Sequence, residues 1–277
     1  PAPVVETMVT SRLLSGLGDG ADSVLGPLID GGAPVVLALA PSEGGLARLV
    51  PGAAVAAAVV GLDGDDLVAV PTSSDVPCPP SLAGAPLADV DLTGPGRIVL
   101  ASGEHARAAH DAAVTQWRAL TARWLVGLAR AAQDIGITYA TDREQFGAAV
   151  GSFQAVQHRF ADIACDLDGA DLLANKAVWA LDVADPVGTS FARMAFWFAG
   201  DTAQRAASWS LHVHGGYGFM EEYDIQLHFR RAKATRLLLG DPRRELQGLA
   251  DVLWEDPASG PIPGSPLRPT RCLLYTS

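Results

Sequence analysis

Apolar residues recur with two different spacings along the chain, and the change falls near residue 102. After it they return every three or four positions, as on one face of an α-helix, and Trp117, Leu120 and Trp124 show this spacing. The pattern predicts five helices, over Glu104–Tyr139, Ser152–Asp182, Phe191–His214, Tyr223–Leu239 and Pro242–Trp254. Long helices joined by short connections indicate a four-helix bundle. The predicted bundle domain covers residues 103–255 and includes the last helix.

Upstream, between residues 33 and 102, the apolar residues come in short runs separated by turn residues, which is typical of β-strands. Asp63-Gly64 lies between two of these runs and is a hairpin signal. The proline-rich stretch Pro77–Pro86 predicts a loop. Four strands are predicted, at Val35–Ala40, Ala54–Leu62, Leu67–Val70 and Arg97–Ala101. We therefore expect a small β-rich middle domain.

The two ends differ from the rest of the chain. Residues 1–32 predict the end of a helix followed by a glycine-rich connection, which we interpret as the end of an N-terminal helical domain and its linker. Residues 256–277 are rich in Pro, Gly and Ser and predict a disordered tail. The six residues after Arg271 resemble the translation of a sequencing adapter. Because the chain starts at Pro1, we expect a fragment that lacks most of the N-terminal helical domain.

Charge and composition exclude several classes of partner. The formal net charge is −11, and residues 1–102 hold eleven acidic residues against three arginines. The chain has no basic tract, so we expect no nucleic-acid or anionic-membrane partner. No apolar run reaches the ~18–20 residues that a bilayer span needs. Cys78, Cys165 and Cys272 are odd in number and widely spaced, which predicts reduced thiols. With no visible targeting segment, this favours a cytoplasmic protein.

The candidate chemistry is limited. His212 and His214 form the only close histidine pair, but two residues apart on a helix they point in different directions, so we expect no metal site. The Gly215-Gly216-x-Gly218 sequence is similar to a phosphate cradle, yet it follows a helix, which favours a helix stop. No nucleophile and base are paired by their spacing.

Two segments carry more information. The first runs from residue 139 to 158 and places Arg143, Phe146 and Gln154 around a turn between two helices. An arginine can pair with a pyrophosphate, and a phenylalanine can pack on an aromatic ring system. An ion pair with a core phenylalanine is the alternative interpretation. The second segment runs from His212 through the glycines into a basic stretch that ends at Lys233.

Together these segments resemble the C-terminal half of the acyl-CoA dehydrogenase family. The family pattern is R-x-x-F-G, G-x-F-Q-x-x-x-H, Q-x-x-G-G-x-G-F and R-(R/D)-A-K, in that order. The residues that match it, at similar separations, are Arg143, Phe146, Gly147, Gly151, Phe153, Gln154, His158, Gly215, Gly216, Gly218, Phe219 and Arg230–Lys233. This ordered set covers about residues 103–254, whereas a single glycine motif would carry little weight.

The resemblance implies a mainly α fold with a four-helix bundle, a β-domain and tetrameric assembly. It also implies FAD, an acyl-CoA substrate that is desaturated between Cα and Cβ, and electron-transferring flavoprotein as acceptor. By position, Arg143 would contact the FAD diphosphate of a neighbouring subunit, with Phe146 and Gln154 close by. The turn formed by His212, Val213, His214, Gly215 and Gly216 would approach the same cofactor. Arg118 falls where relatives have an arginine near CoA.

The chain departs from the family pattern where a catalytic carboxylate is expected. Leu239 occupies the place of the usual glutamate, and the second family position falls in Gln116–Arg118, which has no acid. Asp241 is the nearest acidic residue, but before Pro242 it is well explained as a helix N-cap. The β-domain is also short, and Pro41–Gly45 is at best a relic of the loop that covers the flavin.

Three functions are compatible with this pattern. The first is an FAD-dependent acyl-CoA dehydrogenase whose base lies elsewhere, in fatty acid or steroid degradation. The second is a non-catalytic subunit of a hetero-oligomeric dehydrogenase, an arrangement that the family includes among actinobacterial enzymes acting on steroid side chains. The third is a flavin monooxygenase or nitroalkane-type oxidase on the same fold, which no particular residue supports.

Overall fold

The computed structural model describes residues 2–29, 32, 34–72 and 77–254, and helices make up most of them. The helices are α1 Val4–Gly16, α2 Asp22–Ile29, α3 Gly103–Asp142, α4 Gln154–Asp182, α5 Gly188–His214, α6 Ile225–Thr235 and α7 Pro242–Trp254. The strands are β1 Val35–Leu37, β2 Leu46–Val50, β3 Ala58–Asp63, β4 Asp66–Pro71, β5 Ala88–Asp91, β6 Ile98–Ser102, β7 Glu144–Gln145 and β8 Ala148–Ala149. The predicted mainly α fold is confirmed.

Helices α3, α4 and α5 pack against one another, α6 packs on α3 and α5, and α7 packs on α5. Their interior is lined largely by alanine, which lets the helix axes approach closely. A Cβ added to Gly136 on α3 would overlap the Ser210 side chain on α5. Larger side chains fill the remaining space, and Trp117 packs against Phe196 with ring centroids 5.3 Å apart.

The helix predicted at Tyr223–Leu239 is shorter than expected, because α6 ends at Thr235. Beyond it the chain forms tight turns, in which backbone N–H groups donate to carbonyls three residues earlier. Gly240 has a φ of 89°, which an α-helix does not accept, and the residue before Pro242 is also disfavoured in a helix. The other four bundle helices begin and end within three residues of the predicted bounds.

The β-region consists of a four-stranded sheet, in the order β1-β3-β4-β6, and a two-stranded sheet of β2 and β5. Strand β1 is parallel to β3, and the other pairs are antiparallel. The predicted hairpin joins β3 to β4, with Gly64 at a φ of 59°. The strand predicted from Ala54 begins only at Ala58, because Ala53–Val55 form a 3-10 turn. Strands β2 and β5 were not predicted.

Both faces of the four-stranded sheet are apolar. Val36, Val59 and Val68 point toward β2 and β5 and form a core of their own. Val35, Val60 and Leu67 point the other way, into a core shared with α1 and the bundle. The alternation follows from the two-residue side-chain period of a strand. The β-region therefore rests on the bundle through an apolar interface.

The expected connection near the N-terminus is largely helical. Helix α1 packs on β1 and α3, and α2 follows it after a 3-10 turn. The predicted disordered tail, its adapter-like end and Cys272 lie outside the described residues, while Cys78 and Cys165 are free thiols. None of the helices in the described ranges is both long and apolar enough to cross a membrane.

Candidate functional site

The end of α3 and the hairpin that follows it position Arg143 and Phe146. The Arg143 N–H donates to the Tyr139 carbonyl at 2.9 Å, and the Arg143 carbonyl accepts from the Val150 N–H at 2.7 Å. Between these bonds β7 and β8 pair as a hairpin, with Phe146 and Gly147 at its tip. Both tip residues have a positive φ, 57° and 80°. The hairpin is thus closed by backbone hydrogen bonds that do not depend on the Phe146 side chain.

Phe146 projects from this hairpin into solvent with 95% of its surface exposed. Its ring meets Phe153 edge-on, at 6.3 Å between centroids. A positive φ is uncommon for a bulky residue and costs on the order of 1 kcal/mol. The alternative interpretation of a core phenylalanine is therefore wrong for Phe146. A strained and exposed aromatic residue is typical of a contact site.

An aromatic cluster lies beside Arg143. His214, at the end of α5, stacks on Tyr139 with ring centroids 4.0 Å apart and meets Tyr223 edge-on at 5.9 Å. The Arg143 guanidinium carbon lies 5.9 Å from the centroid of the Tyr217 ring. Arg143 is exposed and makes no ion pair with any carboxylate in the part of the chain that the structure describes.

These residues line an open cavity of about 700 Å³ between the ends of α3 and α5. His214 is 4% exposed, and its Nδ1 donates to the Ser210 carbonyl at 2.7 Å, which leaves Nε2 for a further partner. Asp134 and Asp142 also line the cavity, so it holds two carboxylates besides Arg143. The structure therefore brings together Arg143 and His214 among the sequence-predicted site residues.

The other residues of the predicted turn, and Gln154, are not among those that line this cavity. His212 stacks on Trp209 at 5.1 Å in a separate groove between α4 and α5, as expected for two histidines two residues apart on a helix. Gln154 is exposed at the start of α4, and Val213 is half-buried. Gly215 and Gly216 are exposed, with open space where a Cβ would stand.

Within the described ranges no group of three or more His, Cys, Asp or Glu side chains could hold a metal ion.

Arg118 is buried in an ion pair rather than free for a ligand. Its Nε and Nη2 donate to the two Glu245 carboxylate oxygens, both at 3.0 Å, and so link α3 to α7. Arg193 approaches the same carboxylate at 3.8 Å. Burial lowers the pKa of Arg193, and the charge of Arg118 lowers it further. The Arg118 guanidinium is therefore occupied by the bidentate pair with Glu245. A CoA contact through Arg118 stays a prediction.

Asp241 and Leu239 stand on either side of Gly240, before α7. The Arg243 N–H donates to the Asp241 Oδ1 at 2.9 Å, which is the hydrogen bond of a helix N-cap. Asp241 is exposed, whereas Leu239 is half-buried and packs on the main core. The geometry thus agrees with the cap interpretation of Asp241.

A second cavity, of about 340 Å³, lies between α1, α3, α6 and loops of the β-region. Its wall is mostly apolar, and Glu6 is the one carboxylate among the residues that line it. The Trp117 indole N–H donates to the Glu6 Oε1 at 3.0 Å. Sequence analysis missed Glu6, because the contact joins residues that lie 111 positions apart and no local pattern marks it.

The described residues fit part of an FAD molecule. An exposed guanidinium without a carboxylate partner suits a diphosphate, since charge-assisted hydrogen bonds are the stronger ones. The exposed Phe146 ring suits an aromatic ring system. At Gly215 and Gly216 the open space at Cβ lets a ligand approach the backbone. The chemistry of Arg143, Phe146 and these glycines is thus compatible with FAD, and cofactor binding by them stays a prediction.

The chain matches the acyl-CoA dehydrogenase C-terminal domain over residues 106–251. IpdE2, an acyl-CoA dehydrogenase of Mycobacterium tuberculosis, is 31% identical over 231 residues, which cover 80% of this chain and 70% of IpdE2. This protein therefore belongs to the acyl-CoA dehydrogenase family.

Two further relatives differ in how much they share with the chain. Probable acyl-CoA dehydrogenase YngJ of Bacillus subtilis is 40% identical over 124 residues, 45% of this chain and 32% of YngJ. The chain thus matches about a third of the length of YngJ. The solved structure of the Tcur3481–Tcur3483 steroid ACAD superposes with a TM-score of 0.77 at 25% identity, covering 91% of this chain and 76% of that one.

Proposed function

We propose that the chain is part of an FAD-dependent acyl-CoA dehydrogenase, which desaturates an acyl-CoA thioester between Cα and Cβ as one subunit of a tetramer. The display of Phe146 on a closed hairpin next to Arg143, which has no carboxylate partner among the described residues, is the observation that supports this most. A 95% exposed phenylalanine held at a positive φ contributes little to the packing of the described residues, where its ring contact is the edge-on one with Phe153. We further propose a cytoplasmic location and electron-transferring flavoprotein as electron acceptor.

The residues of this chain would bind and shield the cofactor. Arg143 would pair with the FAD diphosphate of a neighbouring subunit, and Phe146 would pack beside it. Tyr139, His214 and Tyr217 would line that side of the site with aromatic rings. Gln154 and the turn from His212 to Gly216 are further contacts implied by the family pattern. When bound, FAD supplies the acceptor for the hydride that leaves Cβ.

A second candidate is a supporting subunit that completes the flavin site of a paralogous partner. The observation in its favour is the absence of a carboxylate at Leu239 and at Gln116–Arg118. The similarity to a steroid ACAD named for two gene products, Tcur3481 and Tcur3483, agrees with a divided enzyme in steroid degradation. Both candidates use the hairpin and Arg143 in the same way, and they differ in where the base lies.

The FAD content of the whole protein separates the candidates. The gene is expressed alone and then with a paralogous dehydrogenase gene from the same genome, and the flavin absorbance is divided by the chain concentration. One FAD per chain in the protein expressed alone supports a self-sufficient enzyme. One FAD per pair, found only on co-expression, supports the divided enzyme. No flavin in either preparation contradicts both.

A further inference from the structure

The 340 Å³ cavity between α1, α3, α6 and the β-region has several polar side chains in a mostly apolar wall. Glu6 lies on α1, Thr121 on α3, and both Arg231 and Thr235 on α6, so three elements supply polar groups. The rest of the wall is mostly apolar and includes Trp124 and Leu238. Polar groups that converge in an otherwise apolar cavity are typical of a ligand site.

Two of these groups have buried atoms without a hydrogen-bond partner. Thr121 is 3% exposed, and its Oγ1 is unpaired among the residues that the structure describes. The Arg231 Nε is likewise buried and unpaired within those residues. Leaving such atoms unsatisfied costs free energy. A ligand that enters the cavity would offset this cost.

Glu6 differs from Thr121 and Arg231 because a hydrogen bond already fixes the orientation of its carboxylate. The Trp117 indole, which is fully buried, donates to Oε1, and this hydrogen bond leaves Oε2 available. Satisfying the Trp117 N–H would explain a carboxylate or an amide at this position. It does not explain the unpaired Thr121 and Arg231 atoms in the same wall. A fixed carboxylate facing an apolar cavity is a common arrangement for a general base.

Resting on the proposed function, we infer that Glu6 is the proton acceptor for the acyl-CoA thioester. The Cα–H bond of the thioester breaks, its proton passes to the Glu6 Oε2, and the electron pair remains on the substrate as the enolate. Return of a proton from Glu6 to Cα reverses the step. In heavy water the reversal places deuterium at Cα, so the step can be followed without any oxidation. A carboxylate on α1 would then replace those that positions 239 and 116 lack.

The test follows deuterium incorporation at the Cα of two thioesters by proton NMR, using the whole protein with its paralogous partner where flavin binding needs it. The probes are 3-thiaoctanoyl-CoA and cyclohexanecarbonyl-CoA, one linear and one cyclic. We expect the wild-type protein to exchange at least one probe and Glu6→Gln to slow that exchange at least 100-fold. Glu6→Asp keeps the carboxylate and should stay within about tenfold of the wild type.

The amide of Glu6→Gln can still accept from the Trp117 indole, so FAD content and probe affinity should not change. Glu104→Gln, on the exposed first turn of α3, is the matched control and should exchange like the wild type.

Exchange by Glu6→Gln within twofold of the wild type would make Glu6 a structural partner of Trp117 and overturn the inference. Exchange of neither probe by a flavin-loaded wild-type protein would overturn it as well. FAD content is read separately in every sample. Its absence from all preparations contradicts the proposed function, whereas flavin binding with an unaffected Glu6→Gln variant contradicts only the role of Glu6.

Discussion

The imidazole of His214 stacks on the phenol ring of Tyr139 at 4.0 Å between centroids, and this contact joins the last residue of α5 to the last turn of α3. A hydrogen bond from Nδ1 to the Ser210 carbonyl fixes the imidazole in that position. Arg143 follows Tyr139 by one helical turn, so its position depends on two packed helices rather than on a free loop. Sites built on helix ends in this way hold their geometry before a ligand arrives.

Phe146→Gly should leave the stability of the folded chain nearly unchanged while weakening FAD retention and tetramer formation. Glycine accepts a φ of 57° without strain, so the free energy of unfolding of the chain should stay within about 1 kcal/mol of the wild type or rise. FAD retention and tetramer formation should fall, because the exposed ring is lost. Urea unfolding, flavin absorbance and light scattering measure the three effects.

Phe160→Ala, in the core, is the contrast and should lower the free energy of unfolding by about 3–5 kcal/mol. A comparable loss in Phe146→Gly would contradict an external role.

Arg143→Gln should weaken FAD binding at least tenfold while leaving the fold intact, since the guanidinium is exposed and has no carboxylate partner among the described residues. The expected size follows from charge-assisted hydrogen bonds, which contribute about 1.5–3 kcal/mol. Arg143→Lys should recover only part of the affinity, because lysine lacks the bidentate geometry. Fluorescence titration with FAD measures the change. Arg130→Gln, on α3, is the control, and an equal loss there would show that the effect is only one of net charge.

Breaking the buried pair of Arg118 and Glu245 should destabilise the bundle. Glu245→Leu leaves the Arg118 charge buried without its bidentate partner, which typically costs about 3–5 kcal/mol. The double variant Arg118→Met with Glu245→Leu should recover much of this loss, since apolar replacements of a buried pair are often neutral. Urea unfolding of the single and double variants gives the coupling energy. A stable Arg118→Met variant with weaker acyl-CoA binding would instead support the predicted substrate contact.

Asp241→Asn should have little effect, because asparagine accepts the Arg243 N–H as well as aspartate does. Asp241→Ala removes the cap and should cost about 0.5–2 kcal/mol. Thermal unfolding measures both variants, and acyl-CoA turnover is followed in the same samples. Loss of turnover in Asp241→Asn with normal stability and bound flavin would identify Asp241 as the base and reject the cap interpretation.

The five bundle helices could be predicted from the sequence because the first two carry long amphipathic patterns and the others are bounded by start or stop signals such as Gly215-Gly216 and Asp241-Pro242. Strands β2 and β5 could not, since they are short and β2 has Arg48 and Leu49 exposed in its middle. The family motif located Arg143 and Phe146, and helix geometry correctly separated His212 from His214. Nothing local links Glu6 to Trp117, because that hydrogen bond forms only when α1 folds against α3. Contacts of this kind follow from tertiary packing, which periodicity does not report.

One apolar core runs from α1 through the four-stranded sheet into the bundle. The sheet cannot separate from the helices without exposing that core to water, so the two parts should melt in one cooperative transition. The cavity between α1, α3, α6 and the β-region has walls from both parts, so it exists only while they stay packed together. A ligand that binds there meets walls that are already in place, and little affinity is lost to ordering them.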